Sequence, residues 1–181
     1  MKDGAQTFWL ENLKFASHYN QWIFSQIQPY LGAEVLEVGC GNGNFSVLIA
    51  PQCDRLVALD LDKDYVQQTR MRLRGNHRVE VLMADATQFN CDRSFDTIVM
   101  LDVLEHIEDD VGTLCTLSRL LKPGGRLVLK VPALEALYSP MDRAIGHYRR
   151  YRKATLKAAF EAAGLQASQV WYFNLAGIPG W

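Results

Sequence analysis

No run of about 20 apolar residues occurs in the chain, and its start carries no secretory-leader pattern, so neither a membrane span nor export is expected. Cysteine is sparse: Cys40, Cys53, Cys91 and Cys115 are widely spaced and form no C-x-x-C pair. A disulfide framework is thereby excluded, and a reducing cytoplasm is the expected setting. Excess charge of one sign is also missing. Lys and Arg number 19 against 20 Asp and Glu, the net charge is -1 and the pI is near 6.4. No overall field therefore draws the molecule to nucleic acid or to a membrane surface. Internal repeats and low-complexity tracts are absent too. What is present is ordinary globular material, 49% hydrophobic and 22% charged over 181 residues, enough for one domain with a substantial core.

That domain, residues 1–181, divides into an N-terminal helical cap (1–32) and a core (33–181). In the cap Phe15, Tyr19, Trp22, Ile23, Ile27 and Tyr30 fall near helical spacing and make one apolar stripe. From Glu34 onward short β-branched runs alternate with helical segments. "EVLEVG" precedes "NFSVLIAP", "RLVALDL" precedes "KDYVQQTRMRLR", "VEVLMAD" follows, then "FDTIVMLD" precedes "DVGTLCTLSRLL" and "GRLVLKVP" precedes "KATLKAAFEAAG". This alternation predicts an α/β fold, a doubly wound, mostly parallel sheet with helices on both faces. Pro123-Gly124-Gly125 is expected to stop a helix and turn into a strand starting near Arg126, and Gly164 to end the last helix. "LQASQVWYF" then reads as a further strand.

In "VLEVGCGNGNF" three glycines, Gly39, Gly41 and Gly43, alternate directly after the first strand. Ligands of doubly wound sheets bind beyond the carboxyl ends of the strands, where such a loop sits. A dinucleotide fingerprint would place its third glycine at position 44, which is Asn44, and this weakens a dehydrogenase reading. Asp60 ends the second strand, where a carboxylate can accept both ribose hydroxyls. Asp85 ends the third, where it can accept from an adenine amine. Each residue has a plainer alternative: a tight turn for the glycines, loop or helix caps for the aspartates. Cys40 lies inside the loop, where a small packing residue is the simpler assignment than a nucleophile.

Taken in order, "VLEVGCGNGNF", "LVALDLD", "MADA" and "FDTIVMLDVLEHIED" resemble class I S-adenosylmethionine-dependent methyltransferases, over about Glu34 to Gly164. "LEH" at Leu104–His106 and "GHYRRY" at Gly146–Tyr151 are similar to the small bacterial enzymes of the ubiquinone-biosynthesis O-methyltransferase type. The resemblance implies a Rossmann-like fold and S-adenosyl-L-methionine as cofactor, with S-adenosyl-L-homocysteine as product. It implies that Gly39, Gly41 and Gly43 line the methionine part, that Asp60 with Leu61 holds the ribose, and that Asp85 and Ala86 face the adenine. Leu101 would lie beneath the cofactor and Tyr19 would close the site. Glu37 is an acceptor for the cofactor's ammonium or, equally, a strand-end carboxylate that orders the loop. The family usually adds a last antiparallel strand beside the fifth. The chain ends at "NLAGIPGW" before one, so that strand is expected to be missing and the chain to be a shortened one.

A sulfonium cofactor supplies an activated methyl group, so the protein must align a nucleophile, exclude water and, for a hydroxyl acceptor, remove a proton. His106 and His147 follow strand ends on the expected active face and are the candidates, with Glu105 as base or orienter. Packing at a helix start accounts for His106 as well, and the helix dipole alone for Glu105. No metal set is evident, against a metal-dependent catechol-type enzyme. The run "DRAIGHYRRYRKATLK" carries Arg143, Arg149, Arg150, Arg152, Lys153 and Lys157 against Asp142 alone. It is either a solvated face or a recognition element in which Tyr148, Arg149 and Arg150 hold an anionic substrate. The expected partner is a small-molecule acceptor, lipid- or sugar-linked or anionic. Nucleic acid lacks support because no second basic stripe accompanies this run.

Overall fold

The computed structural model describes residues 17–173. Helix α1 (Ser17–Ile27) continues into a 3-10 turn (Gln28–Tyr30) and leads to β1 (Glu34–Val38). There follow α2 (Ser46–Ile49), β2 (Arg55–Asp60), α3 (Lys63–Arg72), β3 (Val79–Met83), β4 (Phe95–Leu101), α4 (Asp110–Ser118), β5 (Leu121–Lys130), α5 (Pro140–Ala144) and α6 (Lys153–Ala162). All four strand pairings are parallel, in the order β3-β2-β1-β4-β5. Strand order reverses between β1 and β4, which fixes where a ligand crevice opens.

Alternation along the buried strands sends side chains to two separate cores. Leu36, Val38, Val57, Leu59, Ile98 and Met100 meet Leu114 and Leu117 of α4 and Ala159 and Phe160 of α6. Val35, Leu56, Ala58 and Val99 meet Ile27 of α1, Ile49 of α2 and Val66 of α3 on the other face. Each fully buried side chain of this size contributes about 1.5–3 kcal/mol, so helices on both faces are what make so apolar a sheet stable. Helix starts follow local chemistry. The Asp62 carboxylate accepts from the N–H groups of Asp64 and Tyr65 at the head of α3, and Asp109 accepts from Gly112 at the head of α4.

Two expectations need correction. Helix α4 stops at Ser118, and β5 already begins at Leu121, pairing with Phe95. The register then shifts so that Arg126 pairs with Thr97, and Pro123-Gly124-Gly125 lies within an irregularity in the strand. Gly124 takes φ +77, and a Cβ on Gly125 would stand 2.9 Å from the carbonyl oxygens of Lys122 and Phe95, so glycine is required by the bulge itself. The described part of the expected last strand, 165–173, joins no ladder. No strand lies beyond β5 among the described residues, and the contacts of this segment with the cap are made by side chains. Tyr30 donates to Gln169 at 2.5 Å and Trp22 stacks on Phe173 at 3.9 Å. The expectation for "NLAGIPGW", and Phe15 of the N-terminal stripe, fall outside the described residues.

Thr97 of β4 fastens the cap to the amino edge of the sheet, and Asp96 beside it ties β1 to β5. Thr97 Oγ1 accepts from Gly32 N–H (3.0 Å) and donates to the Tyr30 carbonyl (2.8 Å), while Asp96 accepts from Glu34 N–H (2.8 Å) and Lys122 Nζ (2.9 Å). Thr97 is buried, so Thr97→Val keeps the shape but leaves two backbone groups unpaired. We expect it to cost about 1–3 kcal/mol in urea unfolding with an unchanged m-value.

Candidate active site

At the carboxyl edge the glycine loop is folded back by its own backbone. Gly39 N–H and Cys40 N–H both donate to the Leu59 carbonyl at 2.8 Å, and Gly43 N–H donates to the Cys40 carbonyl at 2.9 Å. Gly39 has φ +75, and a Cβ there would stand 2.3 Å from Val103 Cγ2. At Gly43, with φ +80, Thr69 Oγ1 would be 2.9 Å away. Side chains are thus excluded at both positions by the protein's own packing as well as by conformation. Asp60 locks the loop: Oδ2 accepts from Gly41 N–H at 2.7 Å and Oδ1 from Asp62 N–H at 2.9 Å. Each oxygen keeps a second lone pair. Burial pushes the Asp60 carboxyl up from its ordinary value, against the opposing pull of those two N–H groups.

A cavity of about 1100 Å³ opens over this loop. Tyr19, Gly39, Gly41, Asp60, Leu61, Asp85, Ala86 and Leu101 of the expected cofactor set line it. Asp85 also accepts from Thr87 N–H at 2.9 Å, so its cap role is present beside any ligand role. Gly43 and Glu37 do not reach the wall. Glu37 is buried beneath the loop, where Ser46 Oγ donates to its Oε2 at 2.5 Å, and burial raises its pKa to about 8, with Asp60 adding to the shift and the Ser46 bond opposing it. Its visible role is to order the loop. Burial, with the charges of Glu37 and Asp60, also pushes the Cys40 thiol far up, so Cys40 is an inert packing residue.

The other wall is built by the 3-10 turn Leu104–His106 and the segment after α5, fastened by Tyr148 N–H donating to the Glu105 carbonyl at 2.8 Å. Here Glu105, His106 and His147 come together. The histidine rings lie 4.6 Å apart, nearly perpendicular, and ligand atoms of all three residues lie within 4.8 Å of one another. Glu105 is fully buried, and neither carboxylate oxygen has a hydrogen-bond partner. His147 Nε2 stands 3.8 Å from Oε1. Burial raises the Glu105 pKa well above the ordinary range, with Asp102 adding to it; burial and the neighbouring His147 lower that of His106. His147 Nδ1 meets Asp142 Oδ1 at 3.0 Å. Burial would raise the Asp142 carboxyl, but bonds from Arg150 Nε (2.8 Å), Ser139 N–H (2.8 Å), His147 and Ser139 Oγ outweigh it and hold the pKa down at about 2.

Three cations of the basic run are paired, while Arg143 and Lys157 are exposed. Arg149 pairs with Asp110 at 2.8 Å and donates to the Glu108 carbonyl, Arg150 is buried on Asp142, and Arg152 meets Glu135 at 2.9 Å. Asp110 comes from a distant part of the chain, which counting charges along the run could not reveal, while Asp142 lies within the run itself. Arg150 borders the cavity, while Arg149 and the exposed Tyr148 do not. Helix α6 has Arg152 as N-cap, and the backbone N–H of that residue donates to Thr155 Oγ1 at 3.0 Å. The convergence of these three residues was not legible because adjacent Glu105-His106 and distant His147 form no ligand-spacing motif. The "LEH" and "GHYRRY" segments, taken as a pair, were the available signal.

Residues 5–170 match the family model for a methyltransferase domain, and the chain belongs to that family. Among relatives, a demethylmenaquinone methyltransferase of Clavibacter sepedonicus is 31% identical over 156 residues, 86% of this chain and 62% of its own length. A ubiquinone biosynthesis O-methyltransferase of Xanthomonas axonopodis pv. citri is 30% identical over 166 residues, 83% of this chain and 69% of the relative. Nodulation protein S of Rhizobium tropici is 35% identical over 99 residues, 53% of this chain and 42% of that protein, so the chain spans less than two thirds of some of these relatives. A Bacillus halodurans protein assigned as a methyltransferase superposes with a TM-score of 0.69 at 28% identity, covering 78% of this chain and 66% of that one. NodS of Bradyrhizobium japonicum, solved with S-adenosyl-L-homocysteine, shares the fold at a TM-score of 0.64 and 24% identity, covering 78% and 70%.

Because Glu37 has a folded pKa near 8 against an ordinary 4.5, the native state keeps a proton that the unfolded chain gives up. Its contribution to stability is complete below about pH 4.5 and is lost as pH rises through about 8. Glu37→Gln mimics the neutral form, and its stability relative to wild type should climb between pH 5 and pH 8 in urea titrations.

Proposed function

We propose that the chain binds S-adenosyl-L-methionine over the glycine loop and transfers its methyl group to a hydroxyl oxygen of a small acceptor. The observation that carries this reading is the single cavity joining the Asp60-locked loop to the Glu105, His106 and His147 wall. At about 1100 Å³ it has room for a nucleoside-sized cofactor and an acceptor together. The names of the Xanthomonas and Clavibacter relatives favour transfer to a lipid-linked ring compound, and the apolar walls offered by Leu134, Leu137, Ile145, Leu156 and Phe160 suit such an acceptor.

Bound cofactor supplies the activated methyl group, and the chain's residues do the rest. The free lone pairs of Asp60 accept from the ribose hydroxyls, Asp85 and Ala86 border the adenine, and Leu101 supports the cofactor from below. Tyr19 of α1 and the segment 166–173 cover the opening and exclude water. Ionised Asp142 keeps the proton of His147 on Nδ1, which leaves the Nε2 lone pair at the acceptor wall. Arg149 and Arg150 act as scaffold: they hold Asp110 and Asp142 in place, and anion recognition is assigned to neither. Tyr148 has no part in this scheme.

Asp60→Ala removes charge-assisted bonds of about 1.5–3 kcal/mol and should weaken S-adenosyl-L-methionine binding by about tenfold or more in calorimetry. His147→Ala should leave that affinity within a few-fold while lowering methyl transfer to hydroquinone or catechol acceptors by about a hundredfold or more. Wild-type chain that binds the cofactor yet yields no S-adenosyl-L-homocysteine with any hydroxyl acceptor would make it a binding protein instead.

A further inference from the structure

Two residues other than glycine have positive φ among the described residues, Asp102 at φ 54 and Leu134 at φ 63. Aspartate enters the left-handed region more readily than most side chains, whereas a bulky apolar residue there is an outlier. At Leu134 the conformation is imposed from both sides. Its N–H donates to the Tyr151 carbonyl at 3.0 Å, and its carbonyl accepts from Leu137 N–H at 2.8 Å. Ala133 beside it forms a parallel bridge to Tyr151, whose own N–H donates to the Pro132 carbonyl at 2.9 Å. Tyr151 is in turn buried, with its hydroxyl on Asp110 at 2.8 Å. Glycine would take this conformation without strain, yet the position carries an isobutyl group.

Core packing does not offset that strain. Leu134 is half-buried and, among the described residues, packs with neither of the two hydrophobic cores. It lines the cavity instead, together with Leu137 and Ile145, which also stand outside both cores. Leu156 and Phe160 of α6 join this apolar wall to the first core. A strained residue persists where its surroundings over-determine it, and such residues gather at ligand sites. From the strain, the missing core contacts and the place in the cavity, we infer that Leu134 is the specificity-determining residue of the acceptor site. Its side chain packs against an aliphatic substituent on the acceptor ring and selects acceptors that carry one. The inference rests on the methyl-transfer reading and adds the residue that reads the acceptor's apolar part.

The chemistry of the side chain sets what it can recognise. An isobutyl group offers no polar atom, so it discriminates only by the apolar surface that it removes from water. The bonds to Tyr151 and Leu137 fix the backbone before any acceptor arrives, so little freedom of the turn is lost on binding. An acceptor without the substituent leaves Leu134 as wet as before and gains nothing from it.

The test is calorimetric titration of catechol and of 4-hexylcatechol into the chain with S-adenosyl-L-homocysteine in excess, for wild type and for Leu134→Gly, Leu134→Asn and Leu134→Met. Wild type should bind 4-hexylcatechol at least about tenfold more tightly than catechol. Glycine and asparagine both tolerate the left-handed conformation, so these two variants should fold and bind S-adenosyl-L-homocysteine within about twofold of wild type. Each should lose about tenfold in affinity for 4-hexylcatechol and hold catechol within about twofold. Leu134→Met keeps an apolar reach and should stay within about threefold of wild type for both compounds. Unchanged affinity of the glycine and asparagine variants for 4-hexylcatechol overturns the inference. So does an equal loss for the two catechols, or a wild type that does not prefer the hexyl compound. Failure of the methyl-transfer reading shows separately, as wild type that forms no S-adenosyl-L-homocysteine from S-adenosyl-L-methionine with either catechol.

Discussion

The carboxylate of Asp60 reaches from the end of β2 to the Gly41 N–H of the loop after β1, and the carboxyl edge is organised around that 2.7 Å bond. It can form only because β1 and β2 are parallel neighbours in register through Val38 and Leu59, whose carbonyl takes the next two N–H groups of the same loop. Side chains at Gly39 and Gly43 would separate the loop from Val103 and Thr69 and break this closure. Beneath it, Glu37 is kept in a dry site on Ser46 and ties the loop to the start of α2. Sheet topology thus places a rigid, donor-rich edge where strand order reverses, and the cavity opens above it.

The far wall depends on a different kind of order. Asp142 gathers Ser139, His147 and Arg150, Asp110 gathers Arg149 and Tyr151, and the Glu105 carbonyl takes the Tyr148 N–H. These bonds lock the segment after α5 against the turn after β4 and leave the Glu105 side chain facing two imidazoles with nothing else to satisfy it. Stability alone would replace such a carboxylate by an apolar residue or give it a partner. Burial answers it in another way, holding the Glu105 pKa well above the ordinary carboxylate range.

The succession of strands and helices, the parallel sheet and the loop were legible in the sequence because each rests on short-range pattern: β-branched runs, alternating glycines, acids at strand ends. Asp60 was legible for the same reason, at a fixed offset from a recognisable strand. The bulge at Pro123-Gly124-Gly125 was not, because the same residues serve equally as a helix stop and only pairing with β4 decides between them. The segment 165–173 has strand-like composition but pairs with no strand, which composition cannot register. Arg149 read as part of a cationic patch because Asp110 is brought to it only by tertiary packing, and the burial of Arg150 on the run's own Asp142 is likewise set by the fold, as is the lack of a partner for Glu105.

We propose that the Asp60-locked loop cradles S-adenosyl-L-methionine. The most direct test is calorimetry of the purified chain with S-adenosyl-L-methionine, S-adenosyl-L-homocysteine and NAD in parallel. Micromolar, one-to-one binding of the first two without NAD is the result this account predicts. Binding of NAD with neither of the others would contradict it.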